Sequence, residues 1–180
     1  MLLKMSNKKD NVMRRIKVAK ITLNIGAGKE QTKLEKGLKL LELITGMAPK
    51  KAATKKRIPN WGLRPGLVVG CSVTVRGKPA EELLKRFIEA KEYHLITNMF
   101  DNKGNLAFGF AEYIDIEGVK YSPEIGVMGF NVAVTLERPG YRVKRRLYKR
   151  TSISKSHIIT KEEAIAFMKE KFSVKFEDVE

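Results

Sequence analysis

Hydrophobic positions recur at two periods along this 180-residue chain, and the period switches at recognisable breaks. From Ala19 they alternate: Ala19, Ile21, Leu23 and Ile25 point one way, and Lys20, Thr22 and Asn24 the other. That is the period of a half-buried strand. Gly26-Ala27-Gly28 ends it. Over 30–45, Leu34, Leu38, Leu41 and Ile44 fall at helical spacing, with Glu30, Lys33, Glu35, Lys36 and Lys39 outside. Gly46 is the expected stop. Alternation returns at 67–76, where Leu67, Val69, Cys71, Val73 and Val75 face a core and Val68, Gly70, Ser72, Thr74 and Arg76 face away.

Pro79 then opens a helix, as proline does in a first turn, with Leu83, Leu84, Phe87 and Ile88 as its buried stripe. Asp101-Asn102-Lys103-Gly104 is a turn. Beyond it Leu106, Phe108 and Phe110 alternate, and the run is read as continuing through Tyr113, Ile114 and Ile116. Met128, Phe130, Val132, Val134 and Leu136 form a further alternating run. Thr160 and Glu163 have capping-box spacing and open a closing helix over 161–171, formed by Ala164, Ile165, Phe167 and Met168. The order predicts an α+β fold: one domain over 1–180, with a mostly antiparallel sheet and helices on one face. The opposite face is expected to be polar, carrying Lys20, Thr22, Asn24, Ser72, Thr74, Arg76, Asn131 and Thr135. Residues 1–14 are expected to be a loose basic start, with either Met1 or Met5 as the natural initiator.

Charge changes the picture. The chain has 36 Lys and Arg against 20 Asp and Glu, a net charge of +16. The excess is segregated. Residues 49–66 and 138–155 contain 6 and 8 cations and no acid, whereas after Thr160 acids outnumber bases. The prolines and glycines in both windows read as loops. A soluble surface intersperses both signs, and a thermophile surface pairs them in networks. Acid-free runs instead suit a polyanion, and nucleic acid is the first candidate. A membrane surface fits less well, because these runs are not amphipathic helices and no apolar stretch is long enough to span a bilayer. The single Cys71 excludes an internal disulfide and suits a reducing compartment.

Catalytic constellations are not found. Gly26-Ala27-Gly28-Lys29 lacks the spacing of a phosphate loop and reads as a strand-to-helix turn. His94, His157 and Cys71 are too scattered for a metal site or a nucleophile pair. Glu112, Asp115 and Glu117 read as a solvated strand edge. No catalytic residue, metal or cofactor is expected. Trp61, in the first basic loop, could stack on a base or anchor the loop to the core. Zinc-finger, basic-zipper, RRM and KH signatures are missing. A polar sheet face with long basic loops suits a structured RNA.

Three ordered blocks then carry a resemblance. Lys20-Ile21-Thr22-Leu23-Asn24-Ile25-Gly26-Ala27-Gly28 is one. Arg64-Pro65-Gly66 with Gly70-Cys71-Ser72-Val73-Thr74-Val75-Arg76-Gly77 is the second. Phe100-Asp101 with Gly104-Asn105 and Phe108-Gly109 is the third. Together they closely resemble the ribosomal protein L five family of the large subunit, and the Arg-rich segment with its closing helix resembles that family's archaeal and eukaryotic branch. The resemblance implies a non-enzymatic, cytoplasmic ribosomal protein that binds 5S rRNA and helps attach it in the central protuberance, beside 23S rRNA and the neighbouring proteins there. It implies a bridge to the small-subunit protein S thirteen and an approach to the P-site tRNA.

By motif position it implies 5S rRNA contacts at Lys20, Thr22, Asn24, Thr74 and Arg76, with Ser72 on the same face. It implies a tRNA-proximal loop carrying Lys55, Lys56, Arg57, Trp61 and Arg64. Arg142, Lys144, Arg145, Arg146, Lys149 and Arg150 are then candidates for ribosomal RNA or bridge contacts. Met47 stands where some members carry a glutamine that touches RNA. A free RNA-binding protein or RNA chaperone is the alternative reading.

Overall fold

The computed structural model describes residues 11–177, so the expectations for the extreme N-terminus, the initiator included, lie outside the described residues apart from a short 3-10 turn at Val12–Arg14. Among the described residues, seven strands and four helices follow: β1 Lys17–Gly26, α1 Gln31–Thr45, β2 Lys50–Ala53, β3 Val68–Val75, α2 Lys78–Glu89, β4 His94–Ile96, β5 Leu106–Phe110, β6 Phe130–Glu137, α3 Arg142–Arg145, α4 Lys161–Phe172 and β7 Lys175–Glu177. Five strands make one antiparallel sheet in the order β2-β3-β1-β6-β5. The expected α+β architecture is what the chain adopts.

The period-two pattern builds the core face directly. Cross-strand registers stack Ile21 with Val75 and Val134, Leu23 with Val73 and Val132, and Ile25 with Cys71. Phe108 joins Val132, and Phe110 joins Phe130. All of these are buried. Two helices close over this face. Gly37 lets α1 approach, since a Cβ there would stand 3.2 Å from the Cys71 Sγ and 3.3 Å from Ile25. Phe87 of α2 packs against Phe110 and Phe130, with ring centres 5.6 and 5.9 Å apart. Helix ends follow the sequence. Gly46 takes the left-handed conformation that glycine adopts without strain (φ 65°). The Thr160 side chain accepts from the Glu163 N–H while the Glu163 carboxylate accepts from the Thr160 N–H.

Several expectations are corrected. Residues 49–66 are not all loop: β2 pairs along β3, although Lys50-Lys51-Ala52-Ala53 has no buried side chain and is a strand by backbone bonding alone. The strand after Leu106 stops at Phe110. Tyr113 and Ile116 are buried in a turn, where the Tyr113 hydroxyl accepts from the Ser122 N–H at 2.9 Å. Asp115 and Glu117 therefore sit on turns, not on a strand edge. In β1 the register shifts between Val18 and Lys20, so Val18, not Ala19, is the fully buried residue there. In α1 the buried stripe is Leu34, Gly37, Leu40, Leu41 and Ile44, with Leu38 at its margin. In α4 Ala164, Met168 and Phe172 are buried, while Ile165 and Phe167 are only partly covered. The three-residue parallel pair of β4 and β7 was not expected.

Candidate nucleic-acid interface

The face of the sheet opposite the helices is built by the other half of the same alternation. Registers align its residues in rows that cross the strands. One row runs Lys50, Ser72, Asn24, Asn131, Gly109; the next runs Thr74, Thr22, Ala133, Ala107. Lys20 lies opposite Thr135 in the following row. Rows on one face repeat about every 7 Å along the strands, which themselves lie about 4.8 Å apart. The Thr22 and Thr74 hydroxyls are 3.5 Å apart, a long hydrogen bond in which either can donate. Arg76 is exposed just beyond β3. Thus Lys20, Thr22, Asn24, Ser72, Thr74 and Arg76 do share a face, and Asn131, Thr135 and Lys50 join them.

The chemistry of this patch is that of short hydroxyls and amides, flanked by cations. On the β5–β6 side the small Ala107, Gly109 and Ala133 leave Asn131 and Thr135 as the groups that stand out. Such a surface can donate to and accept from ribose hydroxyls and base edges, the groups that a wide, shallow RNA groove displays. The sequence pattern located the polar residues. The same alternation put Ala133 on this side, while Ala107 was not singled out.

The first basic segment is an ordered hairpin extension. At its base the Thr54 hydroxyl donates to the Arg64 and Leu67 carbonyls. Backbone bonds Thr54 N–H to Leu67 and Gly66 N–H to Thr54 close it. Near its tip Ile58 and Leu63 pair in both directions around a 3-10 turn at Pro59–Trp61. Trp61 is 67% exposed, so it does not anchor the loop to the core. Lys55, Lys56, Arg57 and Arg64 are all exposed. The Lys29 side chain lies over Gly62, which brings the Gly26–Lys29 turn beside this tip.

The second basic segment is held differently. Arg138 is buried (5% exposed) and is not a surface cation. Its guanidinium pairs with Glu163 at 2.8 Å and donates to the His157 carbonyl at 3.3 Å. The Tyr141 hydroxyl donates to the same carbonyl at 3.1 Å and accepts from the Ile159 N–H at 3.2 Å. These ties pin both feet of the arm to the start of α4. Burial raises the Glu163 carboxyl, but the Thr160 N–H and the Arg138 guanidinium outweigh that, and the group titrates below its usual range. Within the arm lies the short α3, so this run too is not all loop. Arg142, Lys144, Arg146, Lys149 and Arg150 are exposed. Arg145 is exposed as well but pairs with Glu137 at 2.9 Å, so the run has an acid neighbour just outside it.

A groove of about 760 Å³ joins this arm to the sheet face, with Lys20 and Thr135 at one side and Lys144, Arg145, Arg150 and Thr151 at the other. Lys103 and Asn105 also line it. Two candidate sets that looked separate in the sequence are therefore brought together here. The first hairpin leaves the opposite end of the sheet, at the β2 edge. Met47 is exposed at the end of α1. Burial pushes the Cys71 thiol up, away from the reactive thiolate.

Known proteins share this chain's sequence over almost its whole length. Residues 11–64 match the model of the family described as Ribosomal protein L5, and residues 68–174 match the model of that ribosomal family's C-terminus. The large ribosomal subunit protein uL5 of Sulfolobus acidocaldarius is 46% identical, covering 93% of this chain and 94% of its own. Those of Nanoarchaeum equitans and Nitrosopumilus maritimus are 43% and 42% identical, covering 92% and 94% of this chain and 98% of their own. With matched models covering every strand of the five-stranded sheet and nearly all of both basic segments, the chain belongs to the ribosomal protein L5 family in its archaeal form, a family of structural, non-enzymatic proteins.

Proposed function

We propose that this large-subunit protein binds 5S rRNA across its open sheet face and helps hold it in the central protuberance of the cytoplasmic ribosome. The observation that carries the reading is the pair of cross-strand rows, Ser72–Asn24–Asn131 and Thr74–Thr22, lying flat between Lys20, Lys50 and Arg76. Cations supply affinity by displacing counterions, and the fixed hydroxyls and amides supply selectivity because their positions are locked by strand register. The 54–67 hairpin, standing off the far edge with Trp61 and four exposed cations, is assigned to the P-site tRNA. The basic segment at 138–155 is assigned to ribosomal RNA or to the bridge with protein S thirteen.

The test is binding of the full chain to 5S rRNA in the presence of excess tRNA and of a scrambled RNA, at near-physiological salt. Retention of 5S rRNA against both competitors supports the reading. Equal binding of all three RNAs contradicts it and favours a free RNA chaperone.

A further inference from the structure

The tip of the second basic arm exposes two large apolar side chains side by side. Leu147 is fully exposed (102%) and Tyr148 is 78% exposed. Both lie within 142–150, where Arg142, Lys144, Arg145, Arg146, Lys149 and Arg150 provide 6 cations and no residue is acidic. The tip has a set shape: the Arg146 Nε donates to the Lys149 carbonyl at 2.8 Å, and Lys149 takes a left-handed backbone (φ 49°). The Lys149 ammonium lies 5.5 Å from the centre of the Tyr148 ring. The feet of the arm are fixed by Arg138 and Tyr141.

A leucine and a tyrosine held out of the core, in a field of cations, suit one chemistry best. An unpaired base offers a flat π-face to an aromatic ring, while its flanking phosphates meet the surrounding arginines and lysines. An apolar protein surface would bring no charge to balance these cations, and desolvating them against it is costly. The groove that runs from Lys20 and Thr135 on the sheet to Lys144, Arg145 and Arg150 on the arm places the base of this tip beside the open face. We infer that Tyr148 stacks on an unpaired nucleotide of the same RNA that lies on the sheet face, with Leu147 packing against the adjoining sugar. The inference rests on the 5S rRNA reading above.

The experiment measures affinity of the full chain for 5S rRNA in four forms: unaltered, Tyr148→Phe, Tyr148→Ala, and the sheet-face double substitution Asn24→Ala with Thr74→Ala. Melting curves check that each form is folded. Stacking on one base predicts a loss of about tenfold or more for Tyr148→Ala, and binding within about twofold of the original for Tyr148→Phe. The salt dependence is expected to stay unchanged, because no charge is removed. Unaltered affinity in Tyr148→Ala, with the double substitution weakened, overturns the tip contact and leaves the sheet-face reading standing. Equal losses in the Phe and Ala forms overturn stacking in favour of the hydroxyl. If neither Tyr148→Ala nor the double substitution weakens binding, the 5S rRNA reading and this inference fall together.

Discussion

Leu23 and Asn24 are neighbours in one strand, yet they belong to different problems. Leu23 is fully buried between Val73 and Val132 on the helix-covered face, whereas Asn24 is exposed between Ser72 and Asn131 on the open one. The same backbone register fixes both. Packing therefore does double duty: by holding strands in place for the core, it also holds hydroxyls and amides in rows on the other side. A slip of one residue in register would exchange the faces and destroy both at once.

The largest expected effect is on the covered face. Leu23→Ala is expected to lose about 3 kcal/mol of stability, as deletion of a fully buried leucine side chain does. Asn24→Ala is expected to leave thermal unfolding nearly unchanged. Chemical denaturation of the two variants compares them, and equal destabilisation would break the assignment of faces.

The two basic segments sharpen the same contrast between building and contacting. Arg138 and Arg145 lie in one acid-free run, but only Arg138 is buried. Arg138→Ala removes a buried cation from Glu163 and is expected to cost about 2–4 kcal/mol. Arg145→Ala removes an exposed cation from the largely covered Glu137 carboxylate and is expected to cost less than Arg138→Ala, about 1 kcal/mol. Denaturant midpoints of the two variants decide whether the run is divided in this way.

A smaller effect appears with pH. The Glu163 carboxyl is held below its ordinary value of 4.5 in the folded chain. A lowered carboxylate adds stability that is complete above that value and is lost as the pH falls through the folded one. Glu163→Gln should therefore remove part of the stability at neutral pH and flatten its decline below about pH 4.5. An unchanged acid limb of the stability curve would show that the Arg138 pair contributes nothing to it.

The smallest expected change concerns the first hairpin. If its exposed cations serve tRNA as proposed, Lys56→Ala with Arg64→Ala should leave 5S rRNA affinity unaltered. A loss matching that of the sheet-face substitutions would merge the two surfaces into one.

Much of this was legible in the sequence because alternation and burial coincide over 21–25 of β1, over 71–75 of β3 and throughout β5 and β6; at the start of β3 they do not, since Leu67 and Val69 are only partly covered and Gly70, expected on the open face, is buried. The polar halves of those runs named the open face. What the pattern could not carry were features made by long-range pairing. Lys50–Ala53 has no apolar side and becomes a strand only because β3 offers it hydrogen bonds. Tyr113 and Ile116 follow the apolar run of β5 and read as its continuation, but they are buried by a turn folded against α2, where Arg86 donates to the Glu117 carbonyl. Arg138 looked like one more surface cation because Glu163 and the His157 carbonyl reach it from elements about 20 residues later. The groove joining Lys20 to Arg150 had no local signal at all.

The central claim is that the rows on the open face recognise 5S rRNA, and the most direct measurement is the affinity and salt dependence of Asn24→Ala with Thr74→Ala. Two neutral hydrogen-bonding groups are lost, so affinity should fall about tenfold to a hundredfold while the slope of log affinity against log salt stays the same. Unchanged affinity, or a loss carried mainly by a shallower slope, would contradict the account.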